Sequence, residues 1–138
     1  MTKDRFRFRV WDTEKKEMIY GAEMAYDYMR LCPGGKIVEE NCFGDVLENK
    51  RYIVEQCTGL KDKNGRLIYE GDIVILNDED FFEKPIKTII KWADGNASFG
   101  LFGSHNLYYG FSYYDPEDVE VVGNIHENPE LLEGHNDK

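Results

Sequence analysis

Three features of this chain predict a mainly β fold, with a small, strongly bent barrel of the SH3 type in the C-terminal half and a β-hairpin subdomain before it. Arg5-Phe6-Arg7-Phe8-Arg9-Val10 alternates polar and apolar residues without a break, the period of a strand with one face turned inward. Tight-turn signals recur at short spacing, above all Asn64-Gly65 and Glu70-Gly71-Asp72. The aromatics are mostly Tyr (9) and Phe (8), residues that favour pleated, half-buried surfaces, and 13 glycines against four prolines supply turns.

In chain order, Arg5–Val10 is a strand with Arg5, Arg7 and Arg9 on one face and Phe6, Phe8 and Val10 on the other. A polar turn, Asp12–Glu17, returns it to Met18-Ile19-Tyr20 as a hairpin. Glu23 to Leu31 fits a short helix or an extended segment, and Cys32-Pro33-Gly34-Gly35-Lys36 ends it. Residues 37–51 are polar and irregular, with short strands expected near Ile37-Val38 and Val46-Leu47. A boundary near Asn49–Arg51 separates an N-terminal subdomain, 1–50, from the barrel, 51–138.

The barrel strands follow. Tyr52–Gln56 runs into a hairpin at Asn64-Gly65, where both residues tolerate the positive φ of a two-residue turn. Ile73–Leu76 reads as buried, Ile86–Trp92 and Ser98–Phe102 pair about Asp94-Gly95-Asn96, and Tyr108–Tyr114 is crowded with aromatics. Asp115–Asp118 is a turn or a single helical turn with Pro116 at an allowed first position. Val119–Ile125 closes the sheet, and Asn128 caps a terminal helical turn. Four or five short strands joined by tight turns suit a small barrel.

Charge is unevenly placed. Residues 1–70 hold 13 basic and 13 acidic side chains, whereas residues 71–138 hold 4 and 14, so the whole net charge of −10 falls in the second half. A nucleic-acid duplex repels such a surface, because non-specific affinity comes from Lys and Arg neutralising phosphates. A cationic partner suits it better. With no apolar run near the roughly 20 residues that span a bilayer, and no apolar signal core at the start, the expected compartment is the cytoplasm, with no membrane association. Cys32, Cys42 and Cys57 match no zinc spacing and read as reduced, structural thiols.

Chemistry is harder to place. Asp78, Glu79, Asp80 and Glu83 offer carboxylates for a hard cation, but not at the spacing of a calcium loop, and a solvated acidic loop is the simpler reading. His105, His126 and His135 share no metal spacing. Nothing resembles a nucleophile elbow or a phosphate cradle, so no enzyme activity, cofactor or metal is expected. Phe81 and Phe82 are adjacent aromatics in a charged loop, suited to anchoring an interface. Tyr108, Tyr109, Tyr113 and Tyr114 offer large contact area with few rotors to freeze, and packing of the barrel by alternating aromatics is an equally good reading of them. Arg5, Arg7 and Arg9 form the basic stripe that a nucleic-acid-binding accessory would use together with exposed aromatics; the plainer reading is a charged edge strand, or a row that meets the protein's own acidic half.

Three blocks in order resemble the YopX family of phage and prophage proteins: Phe6–Asp12; Thr58–Gly65 with Ile68–Val74; and Val122–Leu132. Cys57 departs from the family's usual Tyr before Thr-Gly-Leu. The resemblance implies an SH3-like barrel and a phage or prophage origin in a bacterium, and it carries no activity. The expected role is a non-enzymatic protein-binding or self-assembling module, a homo-oligomer or the partner of a host or phage protein.

Overall fold

The structure, a computed structural model, describes residues 7–25, 28–31, 39–42, 50–77, 83–95, 97–103, 108–110 and 115–132, and the side chains of all of these except 21–42 and 108–109. The described chain is mainly β, in two antiparallel sheets, one of them a curled half-barrel. It divides into two units, Met1–Gly59 and Leu60–Lys138. The division falls inside one strand, later in the chain than the boundary expected near Asn49–Arg51.

In unit 1 the strands are β1 (Phe8–Asp12), β2 (Glu17–Ala25), β3 (Tyr28–Leu31), β4 (Glu39–Cys42) and β5 (Tyr52–Lys61), side by side in the order β4-β3-β2-β1-β5. The described residues of Glu23–Leu31 are therefore extended, in β2 and β3, and not helical. The short strands expected at Ile37-Val38 and Val46-Leu47 lie outside the described residues. Phe8, Val10, Ile19, Tyr52 and Val54 pack into one apolar cluster, the inward row that the period-2 pattern of β1 requires.

The Asp12–Glu17 turn is held by its first residue. Lys16 N–H donates to Asp12 O (2.8 Å), and Asp12 Oδ1 accepts from the N–H groups of Glu14 (3.0 Å) and Lys15 (3.2 Å). Arg51 forks onto the same carboxylate, Nε to Oδ1 at 3.0 Å and Nη2 to Oδ2 at 2.9 Å. The Arg51 fork holds the Asp12 carboxyl at about 2, below the ordinary 3.8, against the opposing effect of burial and with help from the two turn N–H groups. A carboxyl depressed on folding stabilises the fold fully above its unfolded value, and that contribution is lost as pH falls from 3.8 toward 2. Thermal melts of Asp12→Asn and the parent should accordingly differ by a constant margin at neutral pH and converge as the pH drops through that window. A margin unchanged down to pH of about 2 would contradict the assignment.

Unit 2 begins where β5 passes Gly59 (φ +84°) and its end neighbours β6 (Leu67–Tyr69) across a hairpin. The turn differs from the expected two-residue form. Asp62 N–H donates to Arg66 O (2.9 Å) and Gly65 N–H to Asp62 O (3.0 Å), so three residues make the loop, and Gly65 alone has positive φ (+77°). That is a type I turn followed by a left-handed glycine. Asp62 decides the form, because its Oδ1 accepts from both Asn64 N–H and Arg66 N–H at 2.9 Å.

The half-barrel follows as β7 (Asp72–Leu76), β8 (Ile86–Ala93), β9 (Ser98–Phe102), β10 (Tyr108–Gly110) and β11 (Val119–Asn124), in the order β10-β9-β8-β7-β11. Val74, Ile90, Leu101, Val119 and Val121, one row from each of four strands, form its core together with Ile68 of β6. Pro116–Asp118 is a single 3₁₀ turn whose first N–H groups meet Asp115, Glu117 N–H donating to Asp115 Oδ1 at 3.1 Å. Asn128 stands before the Pro129–Leu132 turn as expected, but its side chain faces the other way: Oδ1 accepts from Asn124 N–H at 3.2 Å.

Candidate protein-interaction surface

The residues that the sequence offers as candidates fare differently once placed, beginning with the arginine row. Arg9 is 1% exposed, and its Nε donates to Glu55 Oε1 at 2.8 Å. The pairing follows from register, since Arg9 and Glu55 stand directly opposite on β1 and β5. Two corrections follow. Arg9 belongs to the interior of a strand pair and not to an exposed basic stripe, and β1 is not an edge strand but lies between β2 and β5. A register shift between Phe8 and Arg9 in the β1–β2 pair further breaks the regular alternation of the sequence. Arg7 is exposed; Arg5 lies outside the described residues.

Phe81, Phe82, Tyr113 and Tyr114 lie outside the described residues, as do Asp78, Glu79, Asp80, His105 and His135. Tyr108 and Tyr109 are on β10, at one end of the half-barrel's strand order, opposite Phe102 and Leu101. His126 is half-buried, with its N–H donated to Asn124 Oδ1 at 3.0 Å. Cys57 is a buried thiol whose Sγ accepts from Gly59 N–H at 3.4 Å. Among the described residues no group of three or more His, Cys, Asp or Glu could hold a metal ion.

An aromatic that the sequence does not single out stands at the surface instead. Trp92, near the end of β8, is 44% exposed. Opposite it on β9 is Phe99, and the two rings meet edge to face with centroids 5.1 Å apart and planes at 79°. Phe99 packs against the half-barrel core, so it holds the indole on the same row as Ile90 while leaving much of it in solvent. On the neighbouring row of the hairpin, Lys91 Nζ lies 5.6 Å over the Phe102 ring. Alternation along Thr88, Ile90 and Trp92 assigns Trp92 to the inward row. Its exposure comes from its distance along the strand, past the last core layer, which a period-2 pattern does not encode.

Buried polar side chains, by contrast, are tied to the backbone or to one another. Asp62 Oδ2 accepts from Val121 N–H (2.9 Å), Asp72 Oδ2 from Tyr69 N–H (2.7 Å), and Thr88 Oγ1 donates to Val74 O (3.3 Å). Asn124 Oδ1 accepts from His126 N–H and Glu127 N–H (3.0 and 2.8 Å), and its Nδ2 donates to Glu127 Oε1 (2.8 Å). Beside it, a Cβ on Gly123 would sit 2.6 Å from Asn128 Oδ1, so only glycine allows the Asn124–Asn128 bond.

Residues 7–133 match the family model described as YopX protein. The chain belongs to the YopX family. It is similar over 91% of its length, at 31% identity and a TM-score of 0.61, to the crystal structure of protein EF1440 from Enterococcus faecalis, 96% of which is covered. Protein yopX from Bacillus subtilis is 22% identical, with 93% of this chain and 96% of that one covered and a TM-score of 0.60, a likeness of fold. A search of curated proteins finds no match. The blocks that carry the YopX resemblance coincide with the backbone locks just described: Asp62 and Gly65 in the hairpin, Asp72 after Gly71 (φ +88°), and Gly123, Asn124 and Asn128 at the end of β11.

Proposed function

We propose that this YopX-family chain is a non-enzymatic protein-binding or self-assembling module of phage or prophage origin, acting in the cytoplasm of a bacterial host on a host or phage protein. The observation that carries the reading is Trp92: a large aromatic, 44% exposed and oriented by Phe99, in the acidic half of the chain. A fixed, solvent-facing indole is the kind of side chain around which binding energy concentrates. Support for a non-enzymatic role comes from the destinations of the buried polar groups. Arg9, Glu55, Asp62, Asp72, Thr88 and Asn124 hold strands and turns together. Nucleic-acid binding through Arg5, Arg7 and Arg9 is the weaker reading, because Arg9 is buried against Glu55.

The test is capture from bacterial lysate with the full chain and with Trp92→Ser as bait, after thermal melts show both to be folded. The parent should retain a protein in stoichiometric amount and the variant several-fold less. Equal recovery with the two baits removes Trp92 as the contact.

A further inference from the structure

The end of β8 holds two open groups close together in the chain. Trp92 is 44% exposed, and Asp94, two residues on, is exposed in the turn to β9. The space beside them is clear: a Cβ built on Gly95 would meet nothing within 4 Å. An edge-to-face contact with Phe99 covers at most one face of the indole, and much of the rest is in solvent. Asp94 is placed as Asp62 is. Each opens a turn whose fourth residue donates its N–H back to the aspartate carbonyl, Gly65 to Asp62 O at 3.0 Å and Ala97 to Asp94 O at 3.3 Å, and each fourth residue has positive φ (+77° and +50°). The carboxylates differ. That of Asp62 accepts three backbone N–H groups, whereas no described residue donates to that of Asp94.

We infer that Trp92 and Asp94 together take a lysine or arginine side chain from a basic segment of the partner protein, which deepens the reading above and rests on it. Indole is the best of the aromatic side chains for holding a cation over its face, and a carboxylate two residues away supplies the counter-charge. Charge selects the occupant. Residues 71–138 hold 4 basic and 14 acidic side chains, so this half attracts a basic segment and repels one that carries phosphates. The adjacent cation in the chain is committed elsewhere. Lys91 precedes Trp92 on β8, so its side chain leaves on the opposite face, where Nζ lies 5.6 Å over the Phe102 ring.

The probe is a short capped arginine–glycine peptide, titrated into the full chain and followed by calorimetry and by indole emission, with the matching glutamate–glycine peptide as control. The parent should bind the arginine peptide, with an affinity that falls as salt rises, and ignore the glutamate peptide. Trp92→Leu, which keeps an apolar side chain but removes the ring, should weaken binding about fivefold, and Asp94→Asn about threefold. Glu117→Gln makes the same one-charge change at the other end of the sheet, where Leu76 lies between Val119 and Ile86, and should leave the affinity unchanged. The inference is overturned by an arginine peptide that does not bind, by a Trp92→Leu variant with the parent's affinity, or by equal losses in Asp94→Asn and Glu117→Gln, the mark of diffuse attraction. It is overturned as well if the glutamate peptide binds equally, or if indole emission follows protein concentration with light scattering at two chain masses, which makes a second copy the occupant. If Trp92→Leu does not fold, the parent's emission together with Asp94→Asn and Glu117→Gln decides. Lysate capture that needs Trp92 when the peptide does not bind sinks this inference alone; failure of both sinks the protein-binding reading with it.

Discussion

Replacing Arg9 with methionine is expected to cost the protein about 3–5 kcal/mol, and replacing Glu55 with leucine as well is expected to restore most of that loss. The reasoning begins with water. Both side chains are almost fully buried, with 2% and 5% of their surface exposed, so each charge has given up most of its hydration and meets the other at 2.8 Å. Removing one leaves the other charge buried without its 2.8 Å counter-ion. Removing both leaves two apolar side chains of similar length side by side on neighbouring strands, and the desolvation cost disappears with the charges. Chemical denaturation of the parent, the two single variants and the double variant closes the cycle. Losses that simply add would mean that Arg9 and Glu55 are stabilised separately by other neighbours.

Asp62 should be the other costly position. Its carboxylate accepts three backbone N–H groups, from Asn64, Arg66 and Val121, so one side chain fixes both the hairpin turn and the attachment of β11. Asp62→Ala is expected to lose about 3 kcal/mol, chiefly from the buried Val121 donor, since water can reach the turn N–H groups. Asp62→Asn separates the two tasks. Its oxygen can still serve the turn, but its NH₂ group would then face Val121 N–H, donor against donor. Hydrogen exchange should therefore accelerate at Val121 in Asp62→Asn while Arg66 stays protected. Equal acceleration at both amides, or none at Val121, would show that the two tasks do not separate in this way.

How much of the fold is legible in the sequence depends on how local each cause is. β7, β8, β9 and β11 follow from alternation and from turn residues within a few positions and stand where the pattern puts them, whereas β1 runs on past the alternating Arg5–Val10 stretch to Asp12. Asn64-Gly65 marks the place of its turn but suggests the wrong form, because the deciding acceptor is Asp62, two residues earlier. Arg9 has the pattern of surface charge because its partner is 46 residues away, and only the register of β1 on β5 brings Glu55 opposite. Trp92 falls in phase with a buried row; how many core layers the half-barrel has is a property of all its strands together, and no window along β8 contains it. The barrel itself is legible as a class from strand count and spacing, and its curled, half-barrel form comes from the pairing of distant strands.

The bond from Val121 to Asp62 spans 59 residues, and Val119 and Val121 complete the core of the unit that contains it. A ribosome makes Asp62 long before it makes Val121. Throughout that interval the hairpin waits with its anchor unfilled, and nascent or prematurely terminated chains that stop short of residue 119 are bound to present Val74, Ile90 and Leu101 to chaperones and proteases. For this half of the molecule, folding waits on the arrival of β11.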